Sequence, residues 1–121
     1  MKKIFLLLFV LLLLFCSCRN PEPEYPTERM EKAKNSAVFY LSSSSYSKNG
    51  LVALLEEKGY SSEESSYAAE NCGADWYKQS AICAKELLEF SSFTKEALIF
   101  QLEIKGFTHE EAVYGAEQNG Y

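Results

Sequence analysis

An internal repeat constrains the fold of this chain more than any other feature. The segment KGYSSEE at residues 58–64 returns as KGFTHEE at residues 105–111, so Lys58 corresponds to Lys105 at an offset of 47 residues. Matching residues continue on both sides of this segment: Leu51 and Leu98, Leu55 and Leu102, Tyr67 and Tyr114, and Gly73 and Gly120. Repetition on this scale indicates tandem supersecondary units. A catalytic site is rarely needed twice at identical spacing, whereas a packing or binding unit often is.

Each copy carries the same signals for a helix, a tight turn and a second helix. A hydroxyl residue that can cap a helix precedes leucines at helical spacing. A glycine then ends that helix, and a capping box of the S/T-x-x-E type starts the next one. The signals occupy matching positions: caps Ser47 and Thr94, stops Gly59 and Gly106, boxes Ser61–Glu64 and Thr108–Glu111, and closing glycines Gly73 and Gly120.

A longer helix is predicted in front of each hairpin. Asp75 is a suitable N-cap for a helix to about Phe90, and its counterpart runs from about Glu28 to Leu41, before the serine run at residues 42–45. Because a short helical hairpin cannot bury enough apolar surface alone, these helices must complete each core. The expected contributors are Ala37, Val38 and Leu41 in one copy and Ala81, Ala84, Leu87 and Leu88 in the other.

The fold class that follows is all-α. No stretch shows sustained two-residue alternation of the strand type. The sequence predicts two tandem helix-turn-helix repeats joined by a connecting helix, with the first repeat at residues 28–74 and the second at residues 75–121.

Residues 1–17 have the pattern of a lipoprotein signal peptide. Two lysines precede an unbroken apolar run from Ile4 to Phe15, which is shorter than the roughly 20 residues of a membrane-spanning helix. The stretch Phe15-Cys16-Ser17-Cys18 resembles a bacterial lipobox, although Phe15 stands where leucine is usual. Cys18 is therefore the expected lipidated residue and the first residue of the mature chain. An uncleaved membrane anchor and a secreted chain without lipid are the alternative interpretations.

Residues 18–27 form the expected spacer between the lipid anchor and the folded part. They hold all three prolines, at positions 21, 23 and 26. This spacing favours an extended polyproline-like backbone over residues 19–26, which at about 3.1 Å per residue would span roughly 25 Å. A disordered tether fits the same composition. Either form keeps the folded part close to a membrane.

The charge of the mature chain restricts its partners. The full chain has 12 basic and 17 acidic side chains, and removal of Lys2 and Lys3 leaves 10 against 17, a net charge of −7. This charge opposes binding to nucleic acid and to anionic lipid headgroups. Neutral or basic surfaces are the expected partners.

The sequence predicts no catalytic site, no metal, no cofactor and no small-molecule substrate. His109 is the single histidine and lies inside a capping box, while Cys72 and Cys83 are too few for a structural zinc site. Cys72 aligns with Asn119 and Cys83 with Ser36, so the repeated unit requires neither cysteine. Two separate thiols are the favoured interpretation, and a disulfide is the alternative.

The duplicated segments resemble the Ltp family of host cell surface-exposed lipoproteins. The resemblance is carried by GLVALLEEKGYSSEESSYAAENCGADWYKQSA and by its echo ALIFQLEIKGFTHEEAVYGAEQNGY, and it covers about residues 33–121. The NCGADW junction, the terminal NGY and the preceding lipobox complete the pattern. The resemblance implies a lipid-anchored protein on the outer face of the membrane of a Gram-positive bacterium. It also implies tandem helix-turn-helix units and a role in superinfection exclusion, and it carries no catalytic residues over to this chain.

We expect the second helix of each hairpin to form an acidic, partner-binding surface. Its glutamates are Glu63, Glu64, Glu70, Glu110, Glu111 and Glu117. Tyr67 and Tyr114 either extend this surface or pack in the core. The expected partner is a basic, partly extended phage tail protein such as the tape-measure protein, whose interception would block DNA injection. The alternative is a host cell-envelope scaffold or interaction lipoprotein without an antiphage role.

Overall fold

The computed structural model describes residues 24–121. This part of the chain contains six helices and no strand: α1 Glu28–Ser43, α2 Lys48–Glu57, α3 Ser62–Asn71, α4 Trp76–Phe90, α5 Lys95–Ile104 and α6 His109–Gln118. The all-α prediction is confirmed. The predictions for the signal peptide, for lipidation at Cys18 and for most of the spacer fall outside the described residues.

The helices begin and end at the residues that local chemistry favours. Ser47 and Thr94 accept hydrogen bonds from backbone amides of the first turn, and Ser61 and Thr108 complete full capping boxes. After α2 and α5 the backbone reverses through glycines with φ of 101° and 99°. Side chains with a Cβ atom avoid this conformation, so each hairpin depends on a glycine at its turn.

Helix α1 extends two residues further than the sequence suggested. Ser42 and Ser43 remain helical, and their hydroxyls donate to the carbonyl oxygens of Phe39 and Tyr40, at 2.6 Å and 3.2 Å. Bonds of this kind to the preceding turn let serine remain in a helix despite its low propensity. The predicted end at Leu41 was therefore too early.

The structure corrects one predicted core residue of α1. Val38 is 50% exposed, so it does not line the core. Met30, Ala33 and Ala37 form the buried stripe of this helix instead. Because residues 30, 33 and 37 recur at helical spacing, position 38 lies beyond the edge of that stripe.

Two modules of three helices make up the described part of the chain. Helices α1–α3 form the N-terminal module, and α4–α6 form the C-terminal module. In each, the first and second helices pack against the third. The cores share four equivalent pairs of buried residues: Ala37 and Ala84, Leu51 and Leu98, Leu55 and Leu102, and Ala69 and Ala116. The first core adds Ala33 and Ala68, and the second adds Cys83, Phe107 and Ala112. Tyr60 packs against the first core, and its equivalent Phe107 belongs to the second.

The contact between first and third helices differs between the modules by one exchange of small residues. Ala33 and Ala68 are both fully buried in the N-terminal module. The equivalent residues of the C-terminal module are Ser80 and Gly115. A Cβ atom on Gly115 would lie 2.4 Å from Ser80 Oγ and 2.9 Å from the Ser80 carbonyl oxygen. The backbone of α6 therefore approaches α4 more closely than a side chain at position 115 would allow.

The two modules are in direct contact. Ser47 Oγ, at the start of α2, donates to the carbonyl oxygen of Lys105 at 2.6 Å. The preceding Tyr46 amide donates to Gln79 Oε1 at 3.1 Å, and Ser45 Oγ donates to Glu86 Oε2 at 2.7 Å. The loop between α1 and α2 thus binds α4 and the end of α5 in the other module.

Candidate partner-binding surface

The residues proposed for binding lie on α3 in the N-terminal module and on α6 in the C-terminal module. Glu63 and Glu110 are exposed in the first turn of these helices. Within residues 24–121 neither carboxylate forms an ion pair. Both are therefore available to a partner, close to the positive end of a helix dipole.

Glu64 and Glu111 are engaged within the chain. Glu64 accepts from the Ser61 amide at 2.8 Å and from Arg29 Nε at 2.7 Å. The Ser61 bond, followed by the Arg29 bond, lowers the pKa of Glu64. Glu111 accepts from the Thr108 amide at 2.9 Å and is only 9% exposed. These two carboxylates stabilise helix starts and offer little free surface to a partner.

Glu70 and Glu117 form loose ion pairs at equivalent positions. Glu70 lies 3.7 Å from Lys48 Nζ, and Glu117 lies 3.5 Å from Lys95 Nζ. The two glutamate side chains are 60% and 52% exposed. Since exposed ion pairs contribute little stability, a cation from a partner can compete for both carboxylates.

Tyr67 makes its contacts inside the N-terminal module. Its hydroxyl donates to Glu31 Oε1 at 2.8 Å, and this bond raises the pKa of the phenol. Its ring lies edge-on to that of Tyr25, with centroids 6.2 Å apart. The side chain is half-buried, so Tyr67 combines a packing role with a limited outer surface.

Tyr114 is more accessible and pairs with a residue that the sequence analysis did not select. Its ring lies edge-on to that of Tyr77, on α4, with centroids 5.5 Å apart. The two residues are 39% and 44% exposed. Neither phenol hydroxyl has a hydrogen-bond partner within the described part of the chain. The C-terminal module therefore presents an open aromatic pair.

Arg29 is a second residue that the sequence analysis missed. Besides its bond to Glu64, Arg29 donates from Nη2 to the Gly59 carbonyl oxygen at 3.0 Å, and its guanidinium lies 5.4 Å from the centroid of the Tyr60 ring. Its equivalent in the second copy is Trp76. The sequence did offer a signal for Arg29: the two copies differ in chemical class at this position, which marks a place where the modules differ.

A cleft of about 390 Å³ lies where the modules meet. Its lining includes Tyr46, Leu87, Phe90 and Phe107, with Cys83 among them. Burial raises the pKa of the Cys83 thiol, which therefore stays protonated near neutral pH. Cys72 and Cys83 are both free thiols, in agreement with the interpretation favoured from the repeat.

Residues 24–121 contain neither a candidate metal site nor a candidate membrane-spanning helix. No group of three or more histidine, cysteine, aspartate or glutamate side chains in this range is placed to hold a metal ion. None of the helices in this range combines the length and hydropathy needed to cross a membrane.

The fold and the surface together define a small protein of two tandem helical modules with an acidic and aromatic outer face. A family model described as "Host cell surface-exposed lipoprotein" matches residues 75–118, which lie in the C-terminal module. The chain is also similar to the solved structure of Ltp, a superinfection exclusion protein from the Streptococcus thermophilus temperate phage TP-J34. That match has a TM-score of 0.69 and 34% identity, and it covers 74% of this chain and 94% of the Ltp chain. No curated protein matches the sequence.

The chain therefore belongs to the Ltp family of host cell surface-exposed lipoproteins. The resemblance noted from the duplicated segments is confirmed, as is the cell-surface location that it implies.

Proposed function

We propose that this lipoprotein acts in superinfection exclusion, as a membrane-anchored binding module that stops an incoming phage from delivering its DNA. The observation that carries the proposal is the similarity to Ltp over 94% of that chain. Attachment through a diacylglyceryl group on Cys18 would hold the modules beside the membrane that the phage DNA must cross. Binding is sufficient for this role, so the proposal requires no catalytic residue and makes the protein a non-enzyme.

The partner in this proposal is a basic segment of a phage tail protein, such as the tape-measure protein. The mature chain carries a net charge of −7, with 10 basic and 17 acidic side chains after cleavage. Four of the glutamates on α3 and α6 remain exposed to a partner: Glu63, Glu70, Glu110 and Glu117. Opposite charges accelerate encounter and select the partner. The same charge opposes binding to nucleic acid.

The first experiment separates adsorption from DNA entry. The full-length gene is expressed in a sensitive host that lacks the prophage. We expect phage particles to adsorb normally while entry of their DNA and plaque formation fall. A lipoprotein that reduces adsorption would act on the receptor and contradict the proposal. A protein that excludes no phage but binds host envelope components would favour the scaffold alternative.

The second experiment tests the acidic surface. The four exposed glutamates are changed to lysine, while Glu64 and Glu111 are kept because they cap helices. We expect a folded lipoprotein that no longer excludes phage. The matched control reverses the same number of exposed charges elsewhere, at Glu56, Glu57, Glu89 and Glu96. If the first variant still excludes phage, or if both variants fail equally, the acidic surface is not the binding site.

A further inference from the structure

We infer that a groove along the boundary between the modules binds an extended segment of the partner, in which one basic residue lies between two apolar residues. The groove runs along α4 and is bordered by the end of α1 and by the loop that follows it. This inference rests on the proposed function, because it adds a second contact for the same basic segment, separate from the glutamates of α3 and α6.

The inter-module groove consists of three adjoining pockets. One, of about 470 Å³, lies beside the turn between α3 and α4, and its lining includes Val38, Leu41 and Ile82. The next, of about 250 Å³, shares Leu41 and Ile82 with the first and extends to Glu86. Glu86 also lines the cleft of about 390 Å³ beside Phe90. Because each pocket shares residues with the next, the three form one continuous groove.

One face of α4 forms the floor of the groove. Lys78, Ile82, Glu86 and Phe90 line it in this order, and their spacing of four residues places them on one side of the helix. At a rise of about 1.5 Å per residue, the face from Lys78 to Phe90 is roughly 18 Å long. An extended chain covers this length with about five or six residues.

The middle of the groove favours an extended segment over a helix. Its lining includes the serine run at residues 42–45 and the side chain of Gln79. Gln79 Oε1 accepts from the Tyr46 amide, which leaves Nε2 as a free donor, and the Ser44 hydroxyl forms no hydrogen bond within residues 24–121. Such groups bind backbone amides and carbonyl oxygens. A helix uses its own backbone groups internally, whereas an extended segment presents them to the groove.

Apolar side chains line the groove at positions where the modules do not require them. Val38, Ile82 and Phe90 are 50%, 38% and 90% exposed. At the offset of 47 residues, their equivalents in the other copy are exposed polar residues: Lys85, Asn35 and Ser43. The module fold therefore accepts a polar residue at each of these positions. Exposed apolar side chains that cluster along a groove mark an interaction site.

The spacing on α4 defines the sequence pattern of the bound segment. Ile82 and Phe90 are eight positions apart, which corresponds to about 12 Å along the helix. In an extended chain alternate side chains face the same way, and residues i and i+4 lie about 13 Å apart. The apolar residues of the segment that contact Ile82 and Phe90 are therefore i and i+4, and residue i+2 faces Glu86 between them.

Charge selects a basic residue for the central position. The Glu86 carboxylate accepts from the neutral Ser45 hydroxyl at 2.7 Å and forms no ion pair within the described part of the chain. Lys78 lies at one end of the groove beside Asp75, and Lys105 lies at the other. A lysine or arginine at position i+2 complements Glu86, whereas an acidic residue there is repelled.

The test compares identical substitutions inside and outside the groove. One full-length variant carries Ile82→Asn and Phe90→Ser, the residues of the equivalent positions in the other copy. The matched control carries Ile104→Asn and Phe100→Ser on α5, where the side chains are 63% and 60% exposed and do not line the groove. Neither variant changes the net charge.

Each protein is purified in detergent and titrated with a dye-labelled peptide, Ser-Leu-Ser-Lys-Ser-Leu-Ser, whose binding is followed by fluorescence anisotropy. We expect the groove variant to bind about tenfold more weakly and the control to change by less than about twofold. A peptide with glutamate in place of lysine should bind wild type about tenfold more weakly. Glu86→Gln should remove this preference, and it tests the groove even if the double variant does not fold.

Phage exclusion in cells should fall in the groove variant and not in the control, and circular dichroism establishes that both are folded. Equal losses in the two variants, or no loss in the groove variant, would overturn the inference and leave the proposed function intact. A wild-type dimer that the groove variant abolishes would also overturn it, since a second copy would then fill the groove. A wild-type protein that binds the lysine peptide but excludes no phage would contradict the proposed function alone.

Discussion

Two buried serine hydroxyls are out of place in otherwise apolar cores. Ser65 and Ser80 are fully buried, and neither Oγ atom has a hydrogen-bond partner within residues 24–121. Their equivalents in the other module are Ala112 and Ala33, which are also fully buried. An unpartnered buried hydroxyl costs free energy. Because Ala112 and Ala33 are buried at the equivalent positions, each of the two serine positions can hold an alanine.

We predict that Ser65→Ala raises the free energy of unfolding by about 1 kcal/mol, because it removes an unsatisfied polar group without changing the backbone.

Ser47→Ala should lower the free energy of unfolding by about 1–2 kcal/mol, since Ser47 Oγ accepts from the Gly50 amide and donates to the Lys105 carbonyl. Denaturant titration of both variants measures the difference. A clear loss of stability in Ser65→Ala would show that its hydroxyl has a partner in solution.

The bonds that the Glu64 carboxylate accepts from the Ser61 amide and from Arg29 make part of the stability depend on pH. The folded-state pKa of Glu64 lies below the ordinary glutamate value of 4.5, chiefly through the Ser61 amide and then through Arg29. A lowered pKa means that the unfolded chain binds the proton more readily. The stabilisation is therefore present above pH 4.5 and is lost as the pH falls through the folded-state value.

We predict that Glu64→Gln melts at a lower temperature than wild type at neutral pH and that the gap narrows below about pH 4.5. Thermal melting followed by circular dichroism between pH 3 and pH 7 measures the gap. Glu63→Gln, one residue away and exposed, serves as the control and should show a smaller gap. A difference in melting temperature that stays constant with pH would show that the charge of Glu64 does not contribute to the stability.

At the scale of helices, the approach of α6 to α4 depends on the absence of a side chain at position 115. Gly115→Ala would normally favour a helix. Here the new methyl group would meet the backbone of Ser80, with its carbonyl carbon at 2.8 Å and its oxygen at 2.9 Å. We predict a loss of about 2–3 kcal/mol in the free energy of unfolding.

Adding Ser80→Ala to Gly115→Ala should recover only part of this loss, because the contacts with the backbone remain. Denaturant titration of the single and double variants shows whether the recovery of the free energy of unfolding is partial or full. Full recovery in the double variant would show that the Ser80 hydroxyl alone sets the spacing of the helices.

The sequence was sufficient to predict the helices because their ends are determined locally. The capping boxes at Ser61 and Thr108 and the turn at Gly59 involve residues within one turn of each other. Val38 was assigned wrongly because residues 37 and 38 differ by one helical step, and only the neighbouring helices decide which one is buried. Local pattern therefore predicted the elements better than it predicted the faces that they bury.

The acidic surface was predictable only in outline. Charge and repetition selected the glutamates of α3 and α6, but the engagement of Glu64 depends on Arg29, 35 residues earlier. The aromatic pair of Tyr77 and Tyr114 joins different helices. Such pairs appear only when the helices are placed in space, which is why the sequence did not distinguish free carboxylates from engaged ones.

At the scale of the whole molecule, Gly106 controls the contact between the modules. Its φ of 99° matches that of Gly59, at 101°, so alanine at either position meets the same conformational cost of about 1–2 kcal/mol. A Cβ atom on Gly59 would have no neighbour within 4 Å, whereas one on Gly106 would lie 2.6 Å from Ser47 Oγ and 3.1 Å from Asn49 Cβ. The two glycines are therefore a matched pair for measuring the contact.

We predict that Gly106→Ala lowers the free energy of unfolding by about 1–3 kcal/mol more than Gly59→Ala does. Denaturant titration gives the difference, and fluorescence energy transfer between one dye on each module should show increased separation in Gly106→Ala only. Equal losses with unchanged separation would mean that the modules do not rely on this contact. The sequence did not reveal it, because the Ser47 hydroxyl bonds to Lys105, 58 residues away.

A chain with two related modules can misfold by pairing helices from different modules, with α3 packing on α4 or α6 packing on α1. The difference between the modules at the contact of first and third helices, Ala33 with Ala68 in one and Ser80 with Gly115 in the other, disfavours both incorrect pairings. Ala68 on α3 would bring a methyl group to the backbone position at Ser80 that accepts only Gly115. Gly115 against Ala33 would leave an unfilled space. Each third helix therefore fits its own first helix best, which favours correct assembly of both modules.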